Sequence, residues 1–143
     1  MNPEEISARV ANLYDLQSMW MEPKLAELGI SWATFQLLMA VAAGKGASQA
    51  AIAERLGISP ATLSESVVLH VKRGLLTQTA SAADRRVKSL ALTKEADRLV
   101  AKIRGLIKEC SEVMTAGIPT TKLESCAKVL DDMATRLERS LPI

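Results

Sequence analysis

The chain has 143 residues, 48% of them hydrophobic and 24% charged, with a net charge of +2, which suits one folded domain and excludes whole-chain disorder. Only 3% of the residues are aromatic while 21 are alanine, a balance that favours helices over a β-sandwich or barrel. No apolar run approaches the roughly 18 residues of a membrane span, and the start Met1-Asn2-Pro3-Glu4-Glu5 lacks the basic-then-apolar order of a secretory signal, so a cytoplasmic protein without a membrane partner is expected.

The first helical periodicity runs through Ile6, Val10, Leu13 and Trp20 and should end before Pro23, with Pro3, Glu4 and Glu5 suited to its first turn. Ser31 can cap a second helix through Phe35, Leu38, Met39 and Val41 that stops at Gly44. Ser48 opens a short third helix with Ala51, Ile52 and Leu56 inward and Gly57 as its stop. Ser59-Pro60 then starts a fourth helix, its core stripe at Leu63, Val67 and Val71, which ends at Gly74. Two short helices joined by so tight a turn make a helix-turn-helix.

After Gly74 the period changes. Leu75 to Thr79 and Val87 to Leu92 read as two strands around the polar link 80–86, a hairpin with a charged tip. Thr93 caps a long fifth helix with its stripe at Ala96, Leu99, Val100, Ile103, Leu106, Cys110, Val113 and Met114, broken by Gly117-Ile118-Pro119. Thr121 with Glu124 forms a capping box for a last helix, inward at Leu123, Cys126, Leu130, Met133 and Leu137. The fold class is therefore mainly α with a small β-hairpin wing, in a single domain over 1–143. Residues 31–93 form its central lobe, and 1–30 and 94–143 supply helices whose surplus apolar faces predict a homodimer. Between Lys45 and Lys94 stand eight basic and three acidic residues, a local charge of +5, so the flanks together carry −3; a basic centre suits a polyanion.

The run Ser48-Gln-Ala-Ala-Ile-Ala-Glu-Arg-Leu-Gly-Ile-Ser-Pro-Ala-Thr-Leu-Ser, then Arg73-Gly74-Leu75-Leu76, Asp84-Arg85-Arg86 and Leu90-Ala91-Leu92-Thr93, resembles the MarR family of winged-helix regulators. Seven residues separate Leu76 from Asp84, the wing length of that family. The motifs span about residues 30 to 100, and the flanking helices match by architecture. The resemblance implies a dimeric transcriptional regulator, usually a repressor, that grips a double-stranded DNA operator and is relieved by a small aromatic effector.

On that reading the fourth helix enters the major groove with Ser59, Pro60, Ala61, Thr62, Ser64 and Glu65. Hydroxyls reach base edges or phosphates and Ala61 reaches a thymine methyl, while Glu65 needs a cytosine amine. In the resembling family an Asp-x-Arg pair works in the wing: Arg86 enters the minor groove, Asp84 orients it and Arg85 meets phosphate. Lys72, Arg73 and Lys88 are candidate phosphate contacts, and Gln78 stands where the family commonly has Arg. Each of these also reads as ordinary solvated surface. Met19, Trp20, Trp32 and Phe35, at the junction of the first two helices, are candidates for the effector site or for plain aromatic packing.

His70 stands where the family usually places a core Leu, and Cys110 and Cys126 fall on apolar stripes; core packing is expected of all three. With one histidine and two cysteines, no metal site and no cofactor are expected. No Gly-rich phosphate loop, histidine-based triad or carboxylate cluster supports an enzyme. The alternative is a winged-helix protein-interaction module that does not bind DNA, favoured by Glu65, Val68, Leu69 and Gln78.

Overall fold

The fold is seen in a computed structural model that describes residues 1–142. It forms two compact units, Met1–Lys108 and a second from Glu109 onward. In the first, α1 (Pro3–Glu27) starts where the Asn2 side chain accepts from the Glu4 N–H at 3.1 Å, with Pro3 and two glutamates in the first turn. The helix runs through Pro23 instead of ending before it. The proline's missing N–H frees the Met19 carbonyl, and Met19 and Pro23 are both exposed, so water can satisfy that group. Met21 and Leu25 anchor the helix, whereas Val10 and Leu13 of the expected stripe remain 49% and 45% exposed.

Helix α2 (Trp32–Ala43) is the central element, burying Thr34, Leu37, Leu38, Ala40 and Val41. Ser31 caps it through the Thr34 N–H. Helices α3 (Gln49–Leu56) and α4 (Pro60–Lys72) follow, capped by Ser48 and Ser59 at 3.1 Å each. Between them Gly57 sits at φ 66°, a left-handed turn open to glycine at little cost. In α3 Ile52 and Ala53 are buried and Ala51 is exposed. In α4 Leu63, Val67 and His70 are buried as expected, but Val71 is 42% exposed. At 100° per residue, position 70 returns to the bearing of Leu63 and position 71 drifts away from it.

Strands β1 (Leu76–Ala80) and β2 (Lys88–Leu92) form one antiparallel hairpin with Gln78 opposite Leu90. Leu75 is outside the strand because its N–H closes the end of α4 on the His70 carbonyl, 3.0 Å away. A bridge between Ser48 and Ser89 joins the start of α3 to the hairpin. The Thr93 hydroxyl donates to the Gly74 carbonyl at 2.7 Å and accepts from the Ala96 N–H, fixing the start of α5 (Lys94–Thr115). Leu25, Leu38, Ile52, Leu63, Leu76 and Ile103, one from each of α1 to α4, β1 and α5, are the fully buried centre of this unit.

The second unit contains α6 (Thr120–Ser140), which buries none of its residues. Its N-cap is Pro119, with no side-chain cap. The expected Thr121–Glu124 capping box does not form because Thr120 and Thr121 are already inside the helix, where Thr121 lacks the extended backbone of a cap. Cys110 is buried, but Cys126, Leu130 and Leu137 are exposed: these three lie on the stripe expected to face inward. Among the described residues, no single helix is long and apolar enough to cross a membrane.

Candidate nucleic-acid interface

Helix α4 turns Leu63, Val67 and His70 inward and leaves Pro60, Ala61, Thr62, Ser64, Glu65 and Lys72 exposed. Its bearing is held at two ends. At the N-terminus the Ser59 hydroxyl accepts from the Thr62 N–H and lies 2.8 Å from the Thr62 hydroxyl. Further along, His70 is clamped between helices: Nδ1 lies 2.6 Å from the Ser66 carbonyl and Nε2 lies 2.9 Å from Thr34 Oγ1 of α2. A carbonyl can only accept, so Nδ1 donates to Ser66, and Nε2 shares the second bond with the threonine hydroxyl. His70 and Thr34 are only 4% and 3% exposed, so this bond replaces water for both groups.

The wing tip is built by three short-range bonds. The Ser81 N–H donates to the Val87 carbonyl at 2.7 Å, the Val87 N–H to the Asp84 carbonyl at 3.0 Å, and the Ala83 N–H to the Ser81 hydroxyl. Asp84 then holds Arg86. One carboxylate oxygen accepts from Arg86 Nε at 3.2 Å and from its backbone N–H at 3.0 Å, and the other accepts from Nη2 at 3.2 Å. Bidentate contact with the guanidinium, followed by the backbone N–H, holds the Asp84 carboxyl below the usual aspartate value. The Arg86 side chain remains 91% exposed: it is oriented but not buried. Arg85 and Lys88 are exposed beside it.

A third contact joins these two elements. Gln78, at the centre of β1, donates from Nε2 to Gln49 Oε1 at 2.6 Å, and Gln49 donates from Nε2 to Ser64 Oγ of α4 at 3.1 Å. Gln49 was not singled out by sequence reasoning, and neither was Thr34 behind His70. Both act across 15 to 36 residues of chain, where no local periodicity or spacing gives a signal.

The MarR family profile matches residues 28–87, spanning the helix-turn-helix and most of the wing. A MarR regulator from Methanosarcina mazei superposes with a TM-score of 0.86 at 20% identity, covering 96% of this chain and 99% of that one. Residues 28–87 thus match the MarR family, and the fold is that of MarR regulators. The DNA complex of Staphylococcus aureus MepR has the same fold at a TM-score of 0.75 and 18% identity, covering 95% and 98% of the two chains. CouR from Rhodococcus jostii, bound to p-coumaroyl-CoA, matches at 0.74 and 22% identity, covering 90% and 91%.

Within this MarR-type lobe Arg73, expected as a phosphate contact, is exposed and partly engaged within the protein. Its Nη2 donates to the Gly29 carbonyl at 3.0 Å, tying the end of α4 to the end of α1. Beside it is a cleft of about 300 Å³ lined by Leu28, Ile30, Leu75 and Leu99, with Arg98 and Lys102 at its rim. The aromatic residues divide. Trp32 and Phe35 meet with ring centres 4.7 Å apart, and the third ring of the group is Tyr14, edge-on to Trp32 at 6.1 Å. Trp20 is instead covered by the Lys24 ammonium, 3.8 Å from the ring centre, and Met19 is exposed.

Proposed function

We propose that the protein is a dimeric, sequence-specific DNA-binding transcriptional regulator of the MarR type. The observation that carries this reading is the wing: an exposed arginine, aimed by a bidentate aspartate, on a hairpin linked by hydrogen bonds to an outward-facing helix N-terminus. In this reading Pro60, Ala61, Thr62, Ser64 and Glu65 enter the major groove and Arg86 the minor groove. Ser59, Arg85, Lys72 and Lys88 support the contact with phosphates. A helix of this kind reads one half-site, so a symmetric operator calls for two copies. The exposed Val10, Leu13 and Leu16 of α1, and in the other unit the exposed Val113, Leu130 and Leu137, are the apolar surface that a second copy would cover.

Repression relieved by a small aromatic effector completes the reading. Met19, Trp20, Trp32 and Phe35 are its proposed contacts, and the effector acts by favouring a dimer whose half-site spacing no longer fits the groove. The test is fluorescence anisotropy of the purified protein with duplex DNA from upstream of its own gene, against a scrambled duplex, at two salt concentrations. Tight, salt-sensitive binding to the native duplex supports the regulator. Weak, equal binding to both supports the other reading, a docking module for a protein partner, for which Val68 and Leu69, 57% and 56% exposed on α4, would be the apolar contact.

A further inference from the structure

Four hydroxyl side chains lie along the first two turns of α4, and three of them are turned to partners on the same helix. Ser59 and Thr62 are paired with one another at the helix cap. Ser66 is turned to the His70 ring, 3.3 Å from Nδ1. Ser64 differs. It is exposed, and its oxygen accepts from the Gln49 amide while no described protein group accepts its proton.

The polarity of Ser64 is set further back. The Gln78 amide donates to Gln49 Oε1 at 2.6 Å, which leaves Gln49 with its Nε2 as the group facing Ser64. Gln49 itself has little freedom, because the adjacent Ser48 is bridged to Ser89 of the hairpin and caps α3. A serine hydroxyl has one donor and two acceptor positions and ordinarily serves either base-edge partner. Here one of the two acceptor positions is filled from behind, so the O–H and a single acceptor position remain, and the balance of the group shifts toward donation.

We propose that Gln49 and Gln78 are positioning residues that present Ser64 as a hydrogen-bond donor, so that Ser64 reads an acceptor on a base edge (a purine N7 or a keto oxygen) in the major groove. This rests on the DNA-binding reading above and adds a rule to it. On the strand facing Ser64, guanine (O6 or N7), adenine (N7) or thymine (O4) is preferred, and cytosine, which presents only its N4 amine, is disfavoured. Gln78, at the position where an arginine would contact phosphate, contributes here by orientation and not by charge.

The experiment uses the full-length protein and duplexes selected from a randomised pool, with the preference at every operator position measured for wild type and four variants. Ser64→Ala should relax the preference at one position per half-site by about tenfold and leave the other positions unchanged. Ser64→Thr keeps the hydroxyl and should keep the preference. Gln49→Leu should relax the same position as Ser64→Ala, and Gln49→Glu should do so as well, because a carboxylate would take the serine proton. Ratios between bases are unaffected by the general loss of affinity that an added charge brings. If Ser64→Ala weakens all sequences equally, the serine contacts phosphate and the inference fails while the regulator stands. If Gln49→Glu keeps the wild-type preference, the relay fails. If wild type selects no sequence at all, the regulator reading fails and this inference falls with it.

Discussion

Replacing Thr34 with valine tests the internal clamp behind α4. The substitution conserves volume and β-branching and removes only the hydroxyl that lies 2.9 Å from His70 Nε2. Both residues are almost fully buried, so water cannot take its place. A buried polar nitrogen left without a partner costs about 1–3 kcal/mol. Ser31, which also donates to Thr34 Oγ1, is exposed and turns to solvent at little cost, so the expected loss is about 2 kcal/mol, a factor of about 30 in the unfolding constant. His70→Leu alone leaves the threonine hydroxyl with Ser31 as its one remaining partner and should cost about 1 kcal/mol. The double variant removes both polar partners and should be more stable than the sum of the two losses by about 1–2 kcal/mol. Urea unfolding at one fixed protomer concentration measures this, because a dimer's stability depends on concentration. An unchanged midpoint for Thr34→Val, or losses that simply add, would refute the clamp.

At the wing, Arg86→Ala should cost about 1–3 kcal/mol of specific DNA binding with the unfolding midpoint unchanged, read by anisotropy and urea titration; operator binding like wild type would remove Arg86 from the interface. The Asp84 carboxyl is held low by Arg86. The pairing is therefore fully present above the ordinary aspartate range and is lost only as pH falls through the lowered value. A carboxyl 13C titration should place Asp84 below the ordinary aspartate value and, in Arg86→Ala, return it upward; no difference between the two would contradict the bidentate contact. Ser59→Ala removes the cap from α4 and should cost about 1 kcal/mol of stability, checked in the same denaturant series. Val10→Glu with Leu13→Glu should shift the protein toward monomer in analytical ultracentrifugation and weaken operator binding in parallel; an undisturbed dimer would place the interface elsewhere.

The elements fixed by neighbouring residues were legible. Ser31, Ser48, Ser59 and Thr93 each cap the helix that follows them, because a cap acts over three residues. The hairpin was placed to within one residue, and Asp84 beside Arg86 followed from a motif three residues long. The misses have physical causes of longer reach. Whether Pro23 ends α1 depends on whether the carbonyl it frees is wet, which is a tertiary fact. Thr121 and Glu124 satisfy the capping pattern, but Pro119 had already set the start of α6. Core packing of His70 was legible and Val71 was misplaced by helical drift, whereas the partner of the His70 ring, Thr34 on α2, lies 36 residues away and gave no local signal. The Gln49–Gln78 contact required the fold itself, since it spans 29 residues between a helix start and the middle of a strand.

In the proposed regulator, stability and recognition would reside on different atoms of the same lobe. The inward side of α4 is closed: Leu63 and Val67 are packed, and both nitrogens of His70 are engaged. The outward side is held in place without being buried, since the contacts that orient it (Asp84 on Arg86, Gln49 on Ser64) are exposed pairs. Exposed pairs add little to folding free energy, but they narrow the rotamers that a bound duplex would otherwise have to order, at about 0.5–1.5 kcal/mol per immobilised side chain. Substitutions at Asp84, Gln49 and Gln78 should therefore reduce affinity or discrimination with the unfolding midpoint unchanged, whereas Thr34→Val should lower the midpoint first. A variant such as Gln49→Leu that lowered the unfolding midpoint as much as Thr34→Val would show that the relay belongs to the core and not to the reading head.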